Sequence, residues 1–343
     1  MIILFSEYKK NDNYNKIKKL LDDLLVDYFF QNIGKKSLII LRGNISEKTI
    51  KTLKKCIKIE KIFENEKEFF LTSINSKRKE KDFLLSGHKW EKNTIFLSGG
   101  PCAIEDEKSL ELVAKTVKRA GGLILRGGSF KPRTSPYSFQ GLGEKGLQIH
   151  RKVADKYGLL MMSEVLDRQD LPIVNKYADI IQIGSRNMQN FPLLKAVGRI
   201  DKPVLLKRNF GSTREEFLLA AEYILSEGNE KVILCERGLR GFEPAGKNIF
   251  DPVSLQKLKE MTWLKVVVDP SHSAGNSKYV GAIAKSALVS GADGLIIETH
   301  PNPKNALSDG QQALTLKEFE TLVFELRKIC GIIGKEFLNV ENF

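Results

Sequence analysis

Short apolar runs alternate with longer amphipathic stretches from residue 94 to residue 300. The apolar runs contain few polar residues, which is typical of parallel strands buried on both faces. The stretches between them repeat apolar residues at helical spacing. Strands are expected at residues 94–98, 123–126, 159–165, 179–184, 203–208, 231–236, 264–269 and 294–300. Helices are expected at 107–120, 144–157, 168–177, 191–197, 213–226, 252–260, 277–290 and 316–330. Eight strand–helix units predict an α/β protein built as a (β/α)8 TIM barrel.

An open doubly wound sheet is the alternative arrangement of the same elements. That fold would place a glycine-rich fingerprint directly after its first strand, whereas residues 99–102 read Gly-Gly-Pro-Cys. The barrel is therefore favoured, and an active site is expected at the carboxyl ends of its strands.

The first 65 residues carry a separate pattern, in the order β-α-β-β-α-β. Strands are expected at 1–5, 26–31, 37–41 and 59–63, and helices at 14–25 and 46–57. This order is the ferredoxin-like split motif. We therefore predict a small ferredoxin-like α+β domain at 1–65, a polar linker at 66–90 and a catalytic barrel at 91–343. No catalytic constellation falls in the first domain, which favours a regulatory or oligomeric role.

Composition and targeting signals point to a cytoplasmic protein. The 343 residues are 42% hydrophobic and 28% charged, which is ordinary for a globular protein. No apolar run reaches the roughly 20 residues that span a bilayer, and the first apolar run is too short for a signal peptide. Four cysteines in a chain of this length do not make a disulfide framework.

The net charge of +13 raises the alternative of a nucleic-acid-binding protein. The excess lysines are scattered over helical patterns, and the sequence has neither an aromatic-interleaved basic stripe nor zinc-finger spacing. We therefore expect no nucleic-acid partner. Part of the excess stands at strand ends, where it would face anionic substrates.

A thiol, an imidazole and two carboxylates stand at neighbouring strand ends. Cys102, His272, Glu298 and Asp309 follow the first, seventh and eighth strands, which become neighbours when the barrel closes. This donor set suits a first-row divalent ion without selecting one, so manganese, iron, cobalt and zinc all remain open. Because no CxxC or HExxH spacing is present, the residue types alone also allow that these side chains never meet.

Basic side chains occupy most of the other strand ends. They are Arg126, Lys131, Arg133, Arg186, Lys207 and Arg237, with the hydroxyl of Thr134 beside them. Arginine binds phosphate and carboxylate in a bidentate manner, whereas lysine acts as a point charge. A single arginine is often part of a surface ion pair, but this set on one rim predicts a site for phosphate and carboxylate groups.

Six motifs stand at or after the expected strand ends. They are Gly-Gly-Pro-Cys-Ala-Ile-Glu at 99–105, Arg-Gly-Gly-Ser-Phe-Lys-Pro-Arg-Thr-Ser-Pro-Tyr-Ser-Phe-Gln-Gly at 126–141, Ile-Gly-Ser-Arg-Asn-Met-Gln-Asn at 183–190, Asp-Pro-Ser-His at 269–272, Glu-Thr-His-Pro at 298–301 and Leu-Ser-Asp-Gly at 307–310. These motifs closely resemble those of type I 3-deoxy-D-arabino-heptulosonate 7-phosphate (DAHP) synthases, of the beta subgroup with an N-terminal ferredoxin-like domain. The resemblance covers nearly the whole barrel.

The resemblance implies a metal-dependent transferase that condenses phosphoenolpyruvate with erythrose 4-phosphate, the first step of the shikimate pathway to aromatic amino acids. It implies one divalent ion on Cys102, His272, Glu298 and Asp309. It further implies that the phosphate of phosphoenolpyruvate binds Arg186 and Arg237, and that its carboxylate lies among Arg126, Lys131 and Lys207. Arg133 and Thr134 would take the phosphate of the aldose.

The implied reaction gives four residues a chemical role. A metal on Cys102 and His272 would act as a Lewis acid on the aldehyde oxygen. Lys131 would donate a proton to the new alkoxide, and a water on the metal is the alternative donor. Glu164, at the third strand end, would orient either Lys131 or the attacking water.

Two segments depart from the usual family pattern. Residues 209–211 read Asn-Phe-Gly where glycine often follows directly, and residues 273–277 read Ser-Ala-Gly-Asn-Ser, which is less basic than usual. Neither departure removes a predicted metal ligand.

Two other functions compete with this interpretation. A 3-deoxy-D-manno-octulosonate 8-phosphate synthase shares the barrel and phosphoenolpyruvate, but it lacks the Lys-Pro-Arg-Thr run found here at 131–134. A non-catalytic sugar-phosphate sensor would not need the intact Cys, His, Glu and Asp set. Relatives also imply that the N-terminal domain senses tyrosine or phenylalanine and that the protein is a homotetramer.

Overall fold

A closed parallel barrel, as the apolar runs predict, forms the larger part of the computed structural model of this protein. The structure describes residues 2–6, 11–33, 36–42, 45–56, 59–63, 69–76, 83–85, 88–242 and 246–338. Among the described residues from 94 to 298, eight parallel strands follow one another, and the last pairs with the first. They are β7 (Thr94–Gly100), β8 (Ile124–Arg126), β9 (Leu160–Val165), β10 (Ile180–Ile183), β11 (Val204–Lys207), β12 (Val232–Glu236), β13 (Lys265–Val268) and β14 (Gly294–Glu298). The barrel confirms the predicted fold class.

Helices surround the barrel and connect its strands. They are α3 (Glu107–Arg119), α4 (Glu144–Tyr157), α5 (Leu171–Tyr177), α6 (Phe191–Val197), α7 (Arg214–Ser226), α8 (Pro252–Met261), α9 (Pro270–Ala274), α10 (Ser277–Val289) and α11 (Leu316–Ile332), and a short strand β15 (Glu336–Phe337) pairs with β7. No described helix has the length and hydropathy that a membrane span requires.

Local sequence signals fix where the helices begin. The Thr213 hydroxyl accepts the backbone N–H of Glu216, and the Glu216 carboxylate accepts the N–H of Thr213. Thr315 and Glu318 form the same reciprocal capping box before α11. These bonds satisfy amides that have no partner within the helix. The loops at the barrel mouth therefore join helices with well-defined first turns.

The N-terminal part contains a four-stranded antiparallel sheet with two helices. Its elements are β1 (Ile2–Ser6), α1 (Asn11–Asp23), β2 (Asp27–Ile33), β3 (Lys36–Arg42), α2 (Glu47–Cys56) and β4 (Ile59–Phe63). The strand order is β2-β3-β1-β4, which agrees with the predicted ferredoxin-like motif. Helix α1 ends before its predicted limit because Leu25 has a φ of 52°. The domain limits at residues 65 and 90 stay predictions.

Apolar side chains fill the bore of the barrel. The inner cluster contains one or more residues from each of the eight barrel strands, including Phe96, Met162 and Val267. A hairpin of β5 (Phe83–Leu85) and β6 (His88–Trp90) adds the buried side chains of Leu85 and Trp90 to this cluster. The Trp90 indole donates to the carbonyl of Thr94, at the amino end of β7. The hairpin thus covers the base of the barrel.

Residues 69–76, which we call the anchored segment, are bonded to the outside of the barrel. The amide and hydroxyl of Thr72 both donate to the Glu222 carboxylate on α7. The Trp263 indole donates to the carbonyl of Leu71 at 2.6 Å, and the amide of Ile74 donates to the carbonyl of Met261. Part of the stretch predicted as a linker is therefore fixed to α7 and to the loop before β13.

Candidate active site

The predicted reactive residues gather at one end of the barrel, around a cavity of about 390 Å³. Those lining the cavity are Arg126, Lys131, Arg133, Thr134, Glu164, Arg186, Lys207, Arg237, His272 and Asp309. Cys102 and Glu298 are buried beside it. The structure therefore brings all twelve to the mouth, because the carboxyl ends of parallel strands share one rim.

Three of the four predicted metal ligands form a close group. One ligand atom each from Cys102, Glu298 and Asp309 lies within 4.8 Å of the others. His272 is outside that group, but its Nε2 lies 3.7 Å from Glu298 Oε1 and 3.9 Å from Asp309 Oδ2. Asp309 has a left-handed backbone with φ of 52°, which directs its loop back towards the thiol. The four predicted metal ligands therefore lie close together, which their spacing along the sequence did not show.

Asp269 orients the imidazole of His272. Its carboxylate accepts from His272 Nδ1 at 2.7 Å and from the His272 amide at 2.9 Å. This leaves Nε2 as the ring nitrogen that faces Glu298 and Asp309. A carboxylate on the second ring nitrogen is the usual support of a metal-binding histidine. The sequence motif 269–272 thus contains a ligand and the group that orients it.

The innermost cations are each held by a group of the site. Arg126 Nη1 donates to Glu298 Oε1 at 2.7 Å and to the carbonyl of Pro101. Lys131 Nζ lies 3.1 Å from Cys102 Sγ, and Lys207 Nζ lies 2.5 Å from the carboxylate of Asp269. These contacts fix the positions of all three basic side chains between the candidate metal site and the cavity.

Burial and charge set the protonation of the candidate ligands. Burial raises the pKa of the Cys102 thiol to about 11, although Lys131 opposes this shift. Burial also lowers the pKa of His272, so the neutral ring that binds metals is favoured. For Asp309, burial acts upwards, but the charge of His272, when its ring is protonated, and the charge of Lys247 hold the pKa well below its usual range. A divalent ion would supply the positive charge needed to deprotonate the thiol.

Two buried arginine nitrogens at the cavity have no protein partner. Nε of Arg126 and Nε of Arg237 are both buried without a hydrogen-bond acceptor among the described residues. Burial lowers the pKa of Arg237, which indicates a guanidinium that the protein itself does not fully compensate. Buried N–H groups are almost always paired, so these two are donors that a group bound in the cavity could satisfy. Arg186 lines the same cavity and is exposed.

Glu164 lies at the end of β9, against glycine. A Cβ on Gly184 would lie 1.9 Å from Glu164 Oε1, so only glycine leaves room for this carboxylate. The other oxygen accepts from Gln182 Nε2 at 3.3 Å. The carboxylate raises the pKa of Lys131, as does the Cys102 sulfur, against the lowering caused by burial. Glu164 is thus close enough to influence the charge of the predicted proton donor.

The loop after β8 reaches the outer part of the cavity. Arg133 donates from Nε to the carbonyl of Phe139 and from Nη2 to the carbonyl of Leu307. Thr134 is exposed beside it. These contacts link the aldose-phosphate candidates to the loop that carries Asp309.

Several cavity residues were not found from the sequence. Arg240 and Lys247 line the mouth, and Arg240 lies 4.0 Å above the ring of Phe210. Gln312 donates to Glu298 at 2.6 Å and accepts from Lys247 at 3.2 Å. Arg240 and Lys247 lie in a loop outside the apolar runs, so the strand-end pattern did not reveal them. The motif at 307–310 stops two residues before Gln312.

The chain is similar to known enzymes along the barrel. The sequence profile of the DAHP synthetase I family matches residues 85–331. A phospho-2-dehydro-3-deoxyheptonate aldolase of Thermotoga maritima is 51% identical over 235 residues, which are 68% of this chain and 70% of the relative. A 2-dehydro-3-deoxyphosphooctonate aldolase of Acidithiobacillus ferrooxidans is 29% identical over 261 residues, which are 71% of this chain and 92% of the relative.

The chain is also similar to solved structures of enzymes with these names. The crystal structure of phospho-2-dehydro-3-deoxyheptonate aldolase (DAHP synthase) from Thermotoga maritima has a TM-score of 0.79 and 39% identity, and covers 98% of both chains. A truncated form of 3-deoxy-D-arabino-heptulosonate 7-phosphate synthase from that organism has a TM-score of 0.67 and 44% identity, covering 71% of this chain and 90% of the other. The family profile spans every candidate residue from Cys102 to Asp309.

Proposed function

This chain belongs to the DAHP synthetase I family, and on that premise we propose that it condenses phosphoenolpyruvate with erythrose 4-phosphate and water. The products are DAHP and phosphate, and the reaction is the first step of the shikimate pathway. The observation that carries the proposal is the group of Cys102, Glu298 and Asp309, with His272 Nε2 beside it, under a cavity lined by eight basic side chains.

The donor set fits one divalent ion. A thiol, an imidazole nitrogen oriented by Asp269 and two carboxylates offer both soft and hard ligands, which first-row ions accept. Cys102, His272, Glu298 and Asp309 would hold the ion, and its identity stays open among manganese, iron, cobalt and zinc. An ion bound there supplies Lewis acidity towards the aldehyde oxygen of erythrose 4-phosphate.

The basic side chains divide between the two ends of phosphoenolpyruvate. Arg186 and Arg237 bind its phosphate, and the unpaired Nε of Arg237 supports this role. Arg126, Lys131 and Lys207 surround its carboxylate, each already fixed by a contact to Glu298, Cys102 or Asp269. Such fixed cations stabilise charge without reorganising during the reaction.

The remaining groups act on the aldose and on protons. Arg133 and Thr134 bind the phosphate of erythrose 4-phosphate at the outer cavity. The enol carbon attacks the aldehyde carbon, and Lys131 Nζ gives a proton to the alkoxide that forms. Water then adds to the carbon that bears phosphate, and phosphate leaves from the resulting hemiketal. Glu164 orients Lys131 or this water.

The first test is metal dependence of phosphate release. Full-length protein is treated with a chelator, and inorganic phosphate release from phosphoenolpyruvate is followed with and without erythrose 4-phosphate. We expect release only when both substrates are present, loss of activity with chelator, and recovery on adding a divalent ion. The same assay with a five-carbon aldose phosphate tests the octulosonate alternative, and a preference for that aldose would contradict the proposal.

A pair of cysteine variants locates the metal. Cys102→Ser should lose bound metal, measured by elemental analysis, together with activity. Cys330→Ser changes a buried thiol on α11 far from the mouth and serves as the matched control. Equal metal content in the two variants would remove Cys102 from the ligand set.

Regulation, assembly and location belong to the same proposal. We assign the ferredoxin-like domain the role of binding tyrosine or phenylalanine, supported by its strand order and its position before the barrel. A homotetramer is the proposed assembly. A cytoplasmic location agrees with the need for a reduced Cys102 thiol as a metal ligand.

A further inference from the structure

A second cavity, of about 760 Å³, lies at the opposite end of the barrel from the mouth. We call it the basal cleft and define it by Lys92, Lys259, Trp263, Lys265, Asp293 and Lys335. Four of them, Lys92, Trp263, Asp293 and Lys335, stand just before β7, β13, β14 and β15. Lys265 is the first residue of β13, and Lys259 lies in the last turn of α8. The cleft is therefore distinct from the proposed active site, and its size is that of a small-molecule pocket.

Positive charge is in excess in the basal cleft. Among the described residues that line it, four are lysines and one, Asp293, is acidic. Asp293 is already engaged, because Oδ1 accepts from Lys259 Nζ at 2.6 Å and Oδ2 accepts from the amide of Val266 at 2.8 Å. Lys265 is engaged as well, because its Nζ donates to the carbonyl of Glu91 at 3.3 Å. Lys92 and Lys335 are therefore the cations that the proposal uses, and the excess of lysines over carboxylates among the described lining residues suits an anion.

Lys335 shows this excess directly. Its Nζ donates to the carbonyl of Ala292 at 3.2 Å, and an ammonium group has three donors. Burial lowers the pKa of Lys335, and the neighbouring Lys259 and Lys265 lower it further against the attraction of Asp293. An anion bound between these ammonium groups would relieve their mutual repulsion.

The remaining wall of the basal cleft is apolar. Trp263, Leu264, Ile74 and Ile333 line it. The Trp263 indole is held by its hydrogen bond to Leu71, so its ring is a fixed surface. A ligand that fits both walls carries an anionic group and an apolar body.

We propose that the basal cleft binds a small organic dianion with an apolar body, such as a phosphate monoester of a ring or short chain. The ammonium groups of Lys92 and Lys335 contact the phosphate, and the apolar body lies against Trp263. The alternative is that the cleft only displays the general lysine excess of this chain to solvent. A binding site in the basal cleft predicts saturable binding that depends on the cleft residues, whereas a general lysine excess predicts neither.

Tryptophan fluorescence of the full-length protein tests the proposal, because the chain has two tryptophans. Trp263 lines the cleft, whereas Trp90 is buried in the bore. Phenyl phosphate is the probe, with phenol and inorganic phosphate as separate arms. We expect a saturable change in emission with phenyl phosphate, at least tenfold weaker binding of inorganic phosphate in competition, and no response to phenol. The change should disappear in Trp263→Phe.

Charge variants provide the matched control. Lys92→Gln with Lys335→Gln removes two cleft charges and keeps the Lys259–Asp293 pair, and it should weaken phenyl phosphate binding at least tenfold. Lys115→Gln with Lys317→Gln removes two exposed charges on α3 and α11 and should leave binding unchanged. Equal affinity in the two double variants, a change that persists in Trp263→Phe, or a non-saturable response would overturn the proposal. Anion binding at the mouth changes none of these comparisons.

Discussion

Asp269 illustrates how much of the site depends on single side chains that bind no substrate. It holds the ring and the amide of His272 and also the ammonium group of Lys207. One buried carboxylate therefore sets the position of a metal ligand and of a substrate cation. The motif at 269–272 predicted the histidine from sequence, but the link to Lys207 joins β11 to the end of β13 and needed the closed barrel.

Asp269→Asn should lower metal affinity and activity by about 10–100-fold, because the neutral amide orients His272 poorly and leaves Lys207 without its counter-charge. Metal titration and steady-state kinetics measure the two effects. Asp179→Asn is the control, since Asp179 likewise accepts from one cation, Arg151, and one backbone amide, Met161. A full metal complement and normal kinetics in Asp269→Asn would contradict the assigned role.

Glu164→Gln should slow the chemical step by about 100-fold or more, because the amide cannot hold a proton or polarise Lys131 as a carboxylate does. Single-turnover phosphate release separates this step from substrate binding and product release. Binding of phosphoenolpyruvate should stay nearly unchanged. An unaltered single-turnover rate would assign Glu164 to the packing of Gly184 and Gln182 alone.

At the scale of elements, apolar runs predicted the barrel strands well because buried parallel strands carry that signal throughout their length. The short helix α9 was not predicted, since five residues beginning with Pro270 show no helical period. The contacts of Arg240 and Lys247 also escaped prediction, because a loop has no period that tells which side chains turn inwards. The anchored segment falls within the predicted linker, since polar composition does not show which amides a distant carboxylate accepts.

The anchored segment should make stability depend on pH through Glu222. Burial raises the pKa of Glu222, against hydrogen bonds from Thr72 that lower it. A carboxyl whose pKa is raised on folding stabilises the fold below its unfolded pKa, and this contribution is lost as pH rises through the folded pKa. Glu222→Gln should therefore be more stable than the wild type at neutral pH and gain nothing in acid.

Thermal unfolding at acid and neutral pH measures this difference. Glu215→Gln, an exposed residue on the same helix, is the control and should not change the pH profile. If Glu222→Gln melts at or below the temperature of the wild type at neutral pH, the charge of Glu222 does not destabilise the fold.

At the scale of the whole molecule, the candidate active site and the proposed regulatory domain belong to different parts of the chain. All twelve predicted site residues lie at the mouth of the barrel, where the carboxyl ends of the parallel strands converge. The N-terminal sheet was predicted from its element order, whereas the proposed effector and the proposed assembly came from the family resemblance and not from the hydrophobic pattern. The anchored segment stays with the barrel if the first 65 residues are removed.

Deletion of residues 1–65 should leave synthase activity within a few-fold of the full-length value, because no site residue is lost. It should abolish inhibition by tyrosine or phenylalanine. Initial rates with and without each amino acid measure both effects, with the full-length protein as the control. Sensitivity that survives the deletion would place the effector site elsewhere.

The filled bore determines the route by which substrates enter and products leave. Leu85 and Trp90 close the base, and the side chains above them occupy the centre of the barrel. Both substrates must then enter through the same opening by which the heptulosonate and the released phosphate depart. Both products must therefore leave before the next two substrates can bind, so slow release of either product would limit the turnover rate of the enzyme.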